Sequence, residues 1–155
     1  MLIYRITSAK YAQKLVGSGS AARWNSNGVF VIYATGSVAL ACLENAVHRN
    51  GSDLSLGDYS LMVIEVPDGQ DKEITINELI AIHKDWYKVD NEAYQRTQQM
   101  GDQWIADRET LLLKVPSSIV QYEYNYLINP NHPEFAKVKI QAVQKFIFDE
   151  RIKSG

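Results

Sequence analysis

The feature that most limits the possible folds is a series of short apolar segments, rich in β-branched and aromatic residues, that recurs along the chain. The segments are LIYRI, VFVIYA, YSLMVIEV, EITI, TLLLKV, SIVQYEYNYLI and VKIQAVQKFIFD. This composition is typical of strands in a half-buried or buried sheet. The strands outnumber the helical stretches and do not alternate with them as in a doubly wound parallel sheet. The pattern predicts an α+β fold with a mixed, mostly antiparallel sheet, or a pair of sheets, flanked by helices.

Helical stretches are expected between these segments. They are a weak turn over 10–15, a helix capped by Thr35 or Ser37 that runs to about Arg49, a helix around 77–83, and a longer helix over 91–106. RNGSDLSLGD is expected to be the loop that ends the helix near Arg49. A Gly- and Ser-rich segment, GSGSAARWNSNG, precedes VFVIYA, and its composition predicts a flexible loop that carries ligand-binding residues.

Length and charge limit the classes of function. With 155 residues the chain corresponds to one domain, 1–155. A net charge of -2 and a pI near 5.9 provide no basic field for neutralising the phosphates of DNA or RNA. MLIYRITSAKYAQKL lacks the apolar core of a signal peptide, and no apolar run is long enough to cross a membrane. We therefore expect a cytoplasmic protein that binds neither nucleic acid nor membrane.

Several common catalytic signatures are absent from the sequence. It has no Walker phosphate loop and no GxGxxG, CxxC or HExxH motif, and its three histidines lack the spacing of metal ligands, so no metal site is expected. Cys42 is the only cysteine, which excludes an internal disulfide, and its apolar neighbours indicate a small buried hydrophobe. Ser117 and Ser118 follow Pro116 without the glycines of a nucleophile elbow.

Polar and aromatic residues are dense in the stretch ARWNSNGVFVIYATGSVALACLE, residues 22–44. Arg23, Trp24 and Asn25 fall on the predicted loop, Tyr33 lies near a strand end, and Glu44 lies in the following helix. A loop, a strand end and a helix that follow one another in sequence can converge on one cleft. Taken singly, each residue also has an ordinary explanation, such as a solvated arginine, a core tyrosine or a glutamate on the wet face of its helix.

Glu44 is the most informative of these residues. It lies three residues after Ala41 and six after Val38, on or beside the face expected to be apolar, where an unpaired carboxylate is costly. A functional cleft explains this placement. The planar guanidinium of an arginine can bind a pyrophosphate through two charge-assisted hydrogen bonds. A carboxylate can stabilise the cationic ribose centre that forms when nicotinamide leaves. The group therefore suits a dinucleotide whose bond between sugar and base is broken.

The same residues resemble a known family. ARWNSNGVFVIYATGSVALACLE, followed downstream by KVPSSIVQYEYNYLINPNHPEF and FIFDERI, is similar to the RES-domain family over essentially the whole chain. The resemblance implies a fold similar to ADP-ribosyltransferases and the role of toxin in a type II toxin–antitoxin module. It implies degradation of NAD+ by hydrolysis or phosphorolysis, or transfer of ADP-ribose to a protein. As partners it implies an Xre-type antitoxin with a helix-turn-helix domain and a homodimer within the toxin–antitoxin complex.

The resemblance also implies roles for individual residues. Catalytic roles fall to Arg23, Tyr33, Glu44 and Ser117, with Ser118 as the alternative register for the serine. Tyr33 would stack on or cap the nicotinamide, and Ser117 would hydrogen-bond the ribose or the nicotinamide, unless it is only a turn serine. Binding of the dinucleotide falls to Arg5, Trp24 and Asn25. Arg5 is either a second phosphate ligand or a solvated arginine at a strand end.

Other matching positions are interpreted as structural. Asn129 and Pro130 are expected in a turn, and Asp149 is expected to pair with Arg151. The family often has glycines just before its arginine, whereas this chain has alanines at 21 and 22. Alanine adopts positive φ less readily, so the loop is expected to run differently here, with its flexibility supplied by the glycines at 17 and 19.

Alternatives to NAD+ degradation remain at this point. ADP-ribose transfer to a protein uses the same site, and the sequence does not distinguish water, phosphate or a protein as the acceptor. A non-catalytic module that binds NAD or a protein partner is the other alternative. For such a module, Tyr94, Met100 and Trp104 would form a contact stripe, although the same spacing is typical of a packed core face.

Overall fold

The structure is a computed structural model and describes residues 1–153. A seven-stranded sheet forms its centre. The strands are β1 (Leu2–Ser8), β2 (Ile32–Thr35), β3 (Tyr59–Glu65), β4 (Asp71–Glu73), β5 (Leu112–Pro116), β6 (Tyr124–Ile128) and β7 (Lys139–Phe146). The helices are α1 (Val38–His48), α2 (Gly51–Leu56), α3 (Ile76–Ile82) and α4 (Asn91–Asp107), with 3-10 turns at Ala9–Tyr11 and Phe135–Lys137.

The sheet is mixed and mostly antiparallel. Its strand order is β4-β5-β6-β2-β1-β3-β7. Only β4 and β5 run parallel, and the other neighbouring pairs are antiparallel. The predicted α+β fold is therefore confirmed, in the form of one sheet flanked by helices.

Both faces of the sheet are packed, because successive side chains on a strand point to opposite faces. One face carries a cluster that includes Ile3, Ile32, Ala34, Met62, Ile64, Leu112 and Ile128. The other face carries two clusters, one with Trp24, Trp86, Trp104, Leu113 and Leu127 and the other with Ile6, Ala41, Leu54, Tyr59 and Phe148. Since α4 belongs to the first of these two clusters and α1 to the second, both helices flank the same face.

Helix α1 begins and ends close to the predicted positions. The Ser37 side chain accepts a hydrogen bond from the Leu40 backbone N–H at 3.1 Å, so Ser37 rather than Thr35 is the N-cap. The helix ends at His48, next to the predicted Arg49. No helix within residues 1–153 combines the length and the apolar character needed to cross a membrane.

The segment EITI is not a strand, and this prediction was wrong. Strand β4 ends at Glu73, the first residue of the segment, and α3 already begins at Ile76. Thr75 and Glu78 form a capping box, in which the Glu78 carboxylate accepts from the Thr75 backbone N–H at 2.7 Å. This cap starts a helix where the β-branched composition favoured an extended chain.

Two other segments also differ from expectation. RNGSDLSLGD, predicted to be a loop, contains α2, because Leu54 can bury its side chain against the core from a helical turn. SIVQYEYNYLI forms a strand only from Tyr124. Residues 118–123 make turns instead, since the Ser117 hydroxyl accepts backbone N–H groups two and three residues later.

The residues interpreted as structural do have structural contacts. Asn129 is fully buried, and its Oδ1 accepts from the Asn131 backbone N–H at 2.9 Å, as expected for a turn. Asp149 and Arg151 form an exposed pair in which Nε and Nη2 each lie 2.8 Å from a carboxylate oxygen. Cys42 is half-buried beside the Ile6 cluster, and this burial raises the pKa of its thiol.

Candidate active site

The candidate site lies where β2 and β5 end and β6 begins. The strand register pairs Thr35 with Asn125, and Asn125 with Val115. Alternation along the strands places these side chains on the same face as Tyr33, the face flanked by α1 and α4. Because β2 leads almost directly into α1, Glu44 of that helix comes to lie over this end of the sheet.

Glu44 is held by two donors on the same carboxylate oxygen. Its Oε1 accepts from Ser117 Oγ at 3.1 Å and from Asn125 Nδ2 at 2.6 Å. Its Oε2 lies 3.8 Å from His48 Nε2, and the Glu44 side chain is 20% exposed. Glu44 therefore does not lie on the wet face of its helix. One oxygen is fixed, while the other has no hydrogen bond within the described residues and is available to a ligand.

Ser117 is fully buried, and all of its hydrogen-bonding capacity is used. Its Oγ accepts from the backbone N–H groups of Ile119 and Val120, each at 3.1 Å. A hydroxyl has one proton and two lone pairs, so its proton is directed to Glu44. Ser117 thus positions Glu44 in this conformation, and its hydrogen bond to the ribose or the nicotinamide stays a prediction. Between the two possible registers, Ser117 and not Ser118 is the serine bonded to Glu44.

Arg23 is half-buried in the loop before β2. Its Nη1 donates to the carbonyl of Trp86, and its Nη2 donates to those of Tyr87 at 3.0 Å and Lys88 at 3.2 Å. Its Cζ lies 4.5 Å from the centre of the Tyr94 ring. A guanidinium has five N–H groups, so two remain for another partner.

The charge of Arg23 is influenced by its burial and by the groups around it. Burial lowers the pKa of Arg23, and the neighbouring groups Tyr94, Glu44 and Asp90 act in the opposite direction. The contacts of the sheet bring Arg23 and Glu44 into one region, because Tyr33 anchors the Arg23 loop and Thr35, two residues later, pairs with Asn125, which donates to Glu44.

Tyr33 connects the sheet to the Arg23 loop. Its hydroxyl donates to Asn25 Oδ1 at 2.6 Å and accepts from the Trp24 backbone N–H at 3.2 Å. Burial raises the pKa of Tyr33 well above its usual range, although the hydrogen bond from Trp24 opposes the change. The phenol therefore stays neutral near pH 7 and acts as an anchor for the loop.

The side chains of Trp24 and Asn25, which are predicted to contact a dinucleotide, are both buried. Trp24 is 2% exposed and belongs to the core. Asn25 is 1% exposed, and its Nδ2 donates to three backbone carbonyls within the loop. Both residues shape the loop that presents Arg23, and neither is open to a ligand in this conformation.

The loop itself, predicted to be flexible, is held tightly against α4. Thr97 donates to the Arg23 carbonyl at 2.6 Å. At Gly101 a Cβ atom would lie 1.8 Å from the Trp24 carbonyl oxygen, so only glycine permits this approach. Positive φ angles occur at the glycines at 19 and 28, whereas the alanines at 21 and 22 have none. The alanines therefore introduce no backbone strain.

The chain matches the family model described as RES domain over residues 2–149. This chain belongs to the RES domain family. It is 40% identical over 149 residues to the "Prs ADP-ribosylating toxin" of Sphingobium sp. (strain YBL2), covering 91% of this chain and 88% of the relative. It is 35% identical over 162 residues to "Toxin Res" of Yersinia enterocolitica serotype O:8, covering 99% of this chain and the whole of the relative.

The fold of this RES domain is also similar to a solved structure. The match is a chain from the crystal structure of the M. tuberculosis MbcT–MbcA toxin–antitoxin complex, with a TM-score of 0.75. It covers 94% of the RES domain and 84% of that chain, at 18% sequence identity. At this level of identity the likeness shows a shared fold.

Arg5, predicted to be a second phosphate ligand, does not lie beside Tyr33 and Glu44. It lies within β1 rather than at its end, and it pairs with Met62 of β3. The register of β1 with β2 places Arg5 on the opposite face of the sheet from Tyr33. Its Nη1 donates to the Val16 carbonyl at 3.3 Å.

The RES domain contains site residues that the sequence reasoning missed. Asn125 contacts Glu44 directly, and the strand register that pairs it with Thr35 and Val115 places it on this face. NYLI gives no signal for this, because Leu127 and Ile128 are both buried, one on each face of the sheet. The proposed stripe of Tyr94, Met100 and Trp104 is not an open surface. Tyr94 lies beneath the Arg23 guanidinium, and Met100 and Trp104 pack into the core.

Proposed function

We propose that this RES-domain protein is the toxin of a toxin–antitoxin system and that it cleaves the bond between nicotinamide and ribose in NAD+. The observation that carries the proposal is the arrangement of Glu44. One carboxylate oxygen is fixed by Ser117 and Asn125, and the other is available, within electrostatic range of Arg23. A cation on one side of a site and an oriented carboxylate on the other suit a substrate with a pyrophosphate and a cationic sugar centre.

Glu44 acts on the sugar. When the bond between C1′ of ribose and the pyridine nitrogen breaks, its electron pair moves to the nitrogen and neutralises the pyridinium charge. Positive charge then develops on the ribosyl C1′ and ring oxygen. The available Oε2 of Glu44 stabilises this charge directly or through a ribose hydroxyl. Since Ser117 and Asn125 fix Oε1 beforehand, little reorganisation is needed during the reaction.

Arg23 acts on the phosphates. Its two remaining N–H groups and its positive charge suit a charge-assisted contact to a pyrophosphate oxygen. The three backbone carbonyls and the Tyr94 ring hold the guanidinium in one orientation. Tyr33 contributes by anchoring the same loop through its hydroxyl, and its ring is the surface we assign to the nicotinamide.

The acceptor of the ribosyl group is water or phosphate in this proposal. Transfer of ADP-ribose to a protein is the second candidate. It is favoured by the name of the Sphingobium relative, an ADP-ribosylating toxin, and it needs the same Arg23 and Glu44. The antitoxin we propose as partner is an Xre-type helix-turn-helix protein, in line with the toxin–antitoxin complex to which the fold is similar. The toxin is proposed to act in the cytoplasm and to form a homodimer within that complex.

The test is incubation of the purified protein with NAD+ and measurement of free nicotinamide. We expect release that is abolished in Arg23→Ala and in Glu44→Ala, and full activity in both variants would contradict the proposal. Mass spectrometry of the ribosyl product, with and without inorganic phosphate, identifies the acceptor. ADP-ribose attached to protein in place of a free product would support the second candidate.

Expression in cells tests the proposed role as a toxin. We expect growth arrest with a falling NAD+ pool. Coexpression of the proposed helix-turn-helix antitoxin, encoded by the neighbouring gene, should relieve this arrest. Growth arrest with a constant NAD+ pool would contradict NAD+ degradation as its cause.

A further inference from the structure

The two polar atoms of the Asn125 side chain differ, because only one of them has a hydrogen-bond partner within residues 1–153. Its Nδ2 donates to Glu44 Oε1 at 2.6 Å. Its Oδ1 is buried and has no hydrogen-bond partner within residues 1–153. Buried polar atoms are almost always paired, because an unpaired acceptor loses its bonds to water without replacement. An orphaned acceptor beside the proposed reacting carboxylate therefore points to a missing donor.

The orientation of the Asn125 amide is fixed by its neighbours. Glu44 Oε1 is a carboxylate oxygen and can only accept, and Ser117 directs its single proton to the same oxygen. A flipped amide would place Asn125 Oδ1 against Glu44 Oε1, so that two acceptors would be in contact. The amide nitrogen must therefore face Glu44, and Oδ1 must find its partner elsewhere.

We propose that Asn125 contacts the substrate, fixing Glu44 through Nδ2 and accepting at Oδ1 a hydrogen bond from the nicotinamide riboside half of NAD+. This inference rests on the proposed function. Two groups in that half of the substrate are donors of the required kind, the carboxamide N–H and a ribose hydroxyl. A bond from either one would satisfy the buried oxygen, so that Asn125 would link recognition of the substrate to the placement of Glu44.

The first experiment uses Asn125→Asp, which keeps the shape of the side chain but sets a second carboxyl against Glu44. Two carboxyls in contact retain a proton to higher pH, and the protonated carboxyl can again donate to Glu44. We expect kcat/KM for nicotinamide release to fall about 10- to 100-fold at a pH of about 8, and to recover as the pH is lowered towards about 5. A loss that is equal at every pH would overturn the proposal.

The control for this pH profile is Asn45→Asp. Asn45 follows Glu44 on α1 and is also half-buried, but its amide donates to the carbonyls of Ile6 and Ala41 and does not touch Glu44. We expect its profile to keep the wild-type shape. The wild-type profile includes the other ionisable groups around the pair, which are His48 and Arg23 near Glu44, and Glu123, which precedes Asn125 by two residues and accepts from Ser37. Only the difference from that profile is interpreted.

The second experiment identifies the donor by comparing NAD+ with nicotinic acid adenine dinucleotide, in which a carboxylate replaces the carboxamide. If Oδ1 accepts from the carboxamide, Asn125→Ala reduces the preference of the enzyme for NAD+. If Oδ1 accepts from a ribose hydroxyl, Asn125→Ala slows both substrates by the same factor, and by more than Ser117→Ala, which removes only a hydrogen bond to Glu44. An equal loss on both substrates that is no larger than that of Ser117→Ala overturns the contact with the substrate. A variant within about twofold of wild type on both substrates overturns the proposal, since loss of a hydrogen bond to a charged group costs more. If the wild-type protein releases no nicotinamide, the proposed function itself fails.

Discussion

Replacing Glu44 by glutamine should remove activity while leaving the fold nearly intact. Glutamine has the same shape, and its single amide oxygen can accept the hydrogen bonds that Ser117 Oγ and Asn125 Nδ2 now donate to Oε1. The amide nitrogen then takes the position of Oε2. A negatively charged oxygen facing the ribose is thereby replaced by a neutral donor.

The two effects of Glu44→Gln differ in size. Loss of one preorganised electrostatic contact costs about 10²–10³ in kcat, or about 2.7–4 kcal/mol on the barrier. For stability, two hydrogen bonds to a charged oxygen become bonds to a neutral one, at a cost of about 1–2 kcal/mol in total. For a chain of this length, such a cost lowers Tm by about 2–8 °C. The loss of activity therefore far exceeds any loss of folded protein at 25 °C.

The assay for Glu44→Gln combines nicotinamide release at 25 °C with thermal unfolding followed by circular dichroism. Glu78→Gln is the matched control, because the Glu78 carboxylate also accepts two hydrogen bonds, from the N–H and hydroxyl of Thr75, but lies on α3 in the capping box. We expect Glu78→Gln to keep wild-type activity. Activity of Glu44→Gln within about threefold of wild type would refute the electrostatic role of Glu44.

Three further substitutions test the framework of the site. Ser117→Ala removes a positioning hydroxyl, so steady-state kinetics should show kcat lower by about 10- to 100-fold with little change in KM; a change in KM alone would contradict this. Gly101→Ala sets a methyl against the Trp24 carbonyl and should lower Tm by about 2–12 °C, so an unchanged Tm would count against this packing. Tyr33→Phe leaves two loop partners unpaired, and denaturant unfolding should show a loss of about 1–3 kcal/mol.

Much of the fold could be predicted from the sequence, because strand composition and helix caps are local signals. The apolar runs predicted the mostly antiparallel sheet, and Ser37 as a capping residue predicted where α1 begins. The failures came from contacts that composition does not show. The capping box at Thr75 converted part of EITI into a helix, and the Ser117 hydroxyl held residues 118–123 in turns.

The candidate site was predictable in part. Arg23, Tyr33 and Glu44 lie within 22 residues of one another, so a loop, a strand and a helix in succession bring them together. Asn125 and Tyr94 could not be found in this way, because their positions depend on strand register and on the docking of α4 against the loop. The face of the sheet on which Arg5 lies could not be predicted either, because it depends on the pairing of β1 with β2.

The most direct test is a crystal structure of Glu44→Gln, in which cleavage should be about 10²–10³-fold slower, frozen soon after soaking with NAD+ so that the bound dinucleotide is still intact. We predict that the pyrophosphate contacts Arg23, that the nicotinamide ribose lies within hydrogen-bond distance of the side chain at position 44, and that Asn125 Oδ1 has a donor. A dinucleotide bound elsewhere, with the guanidinium contacting only the carbonyls of residues 86–88, would contradict the shared site.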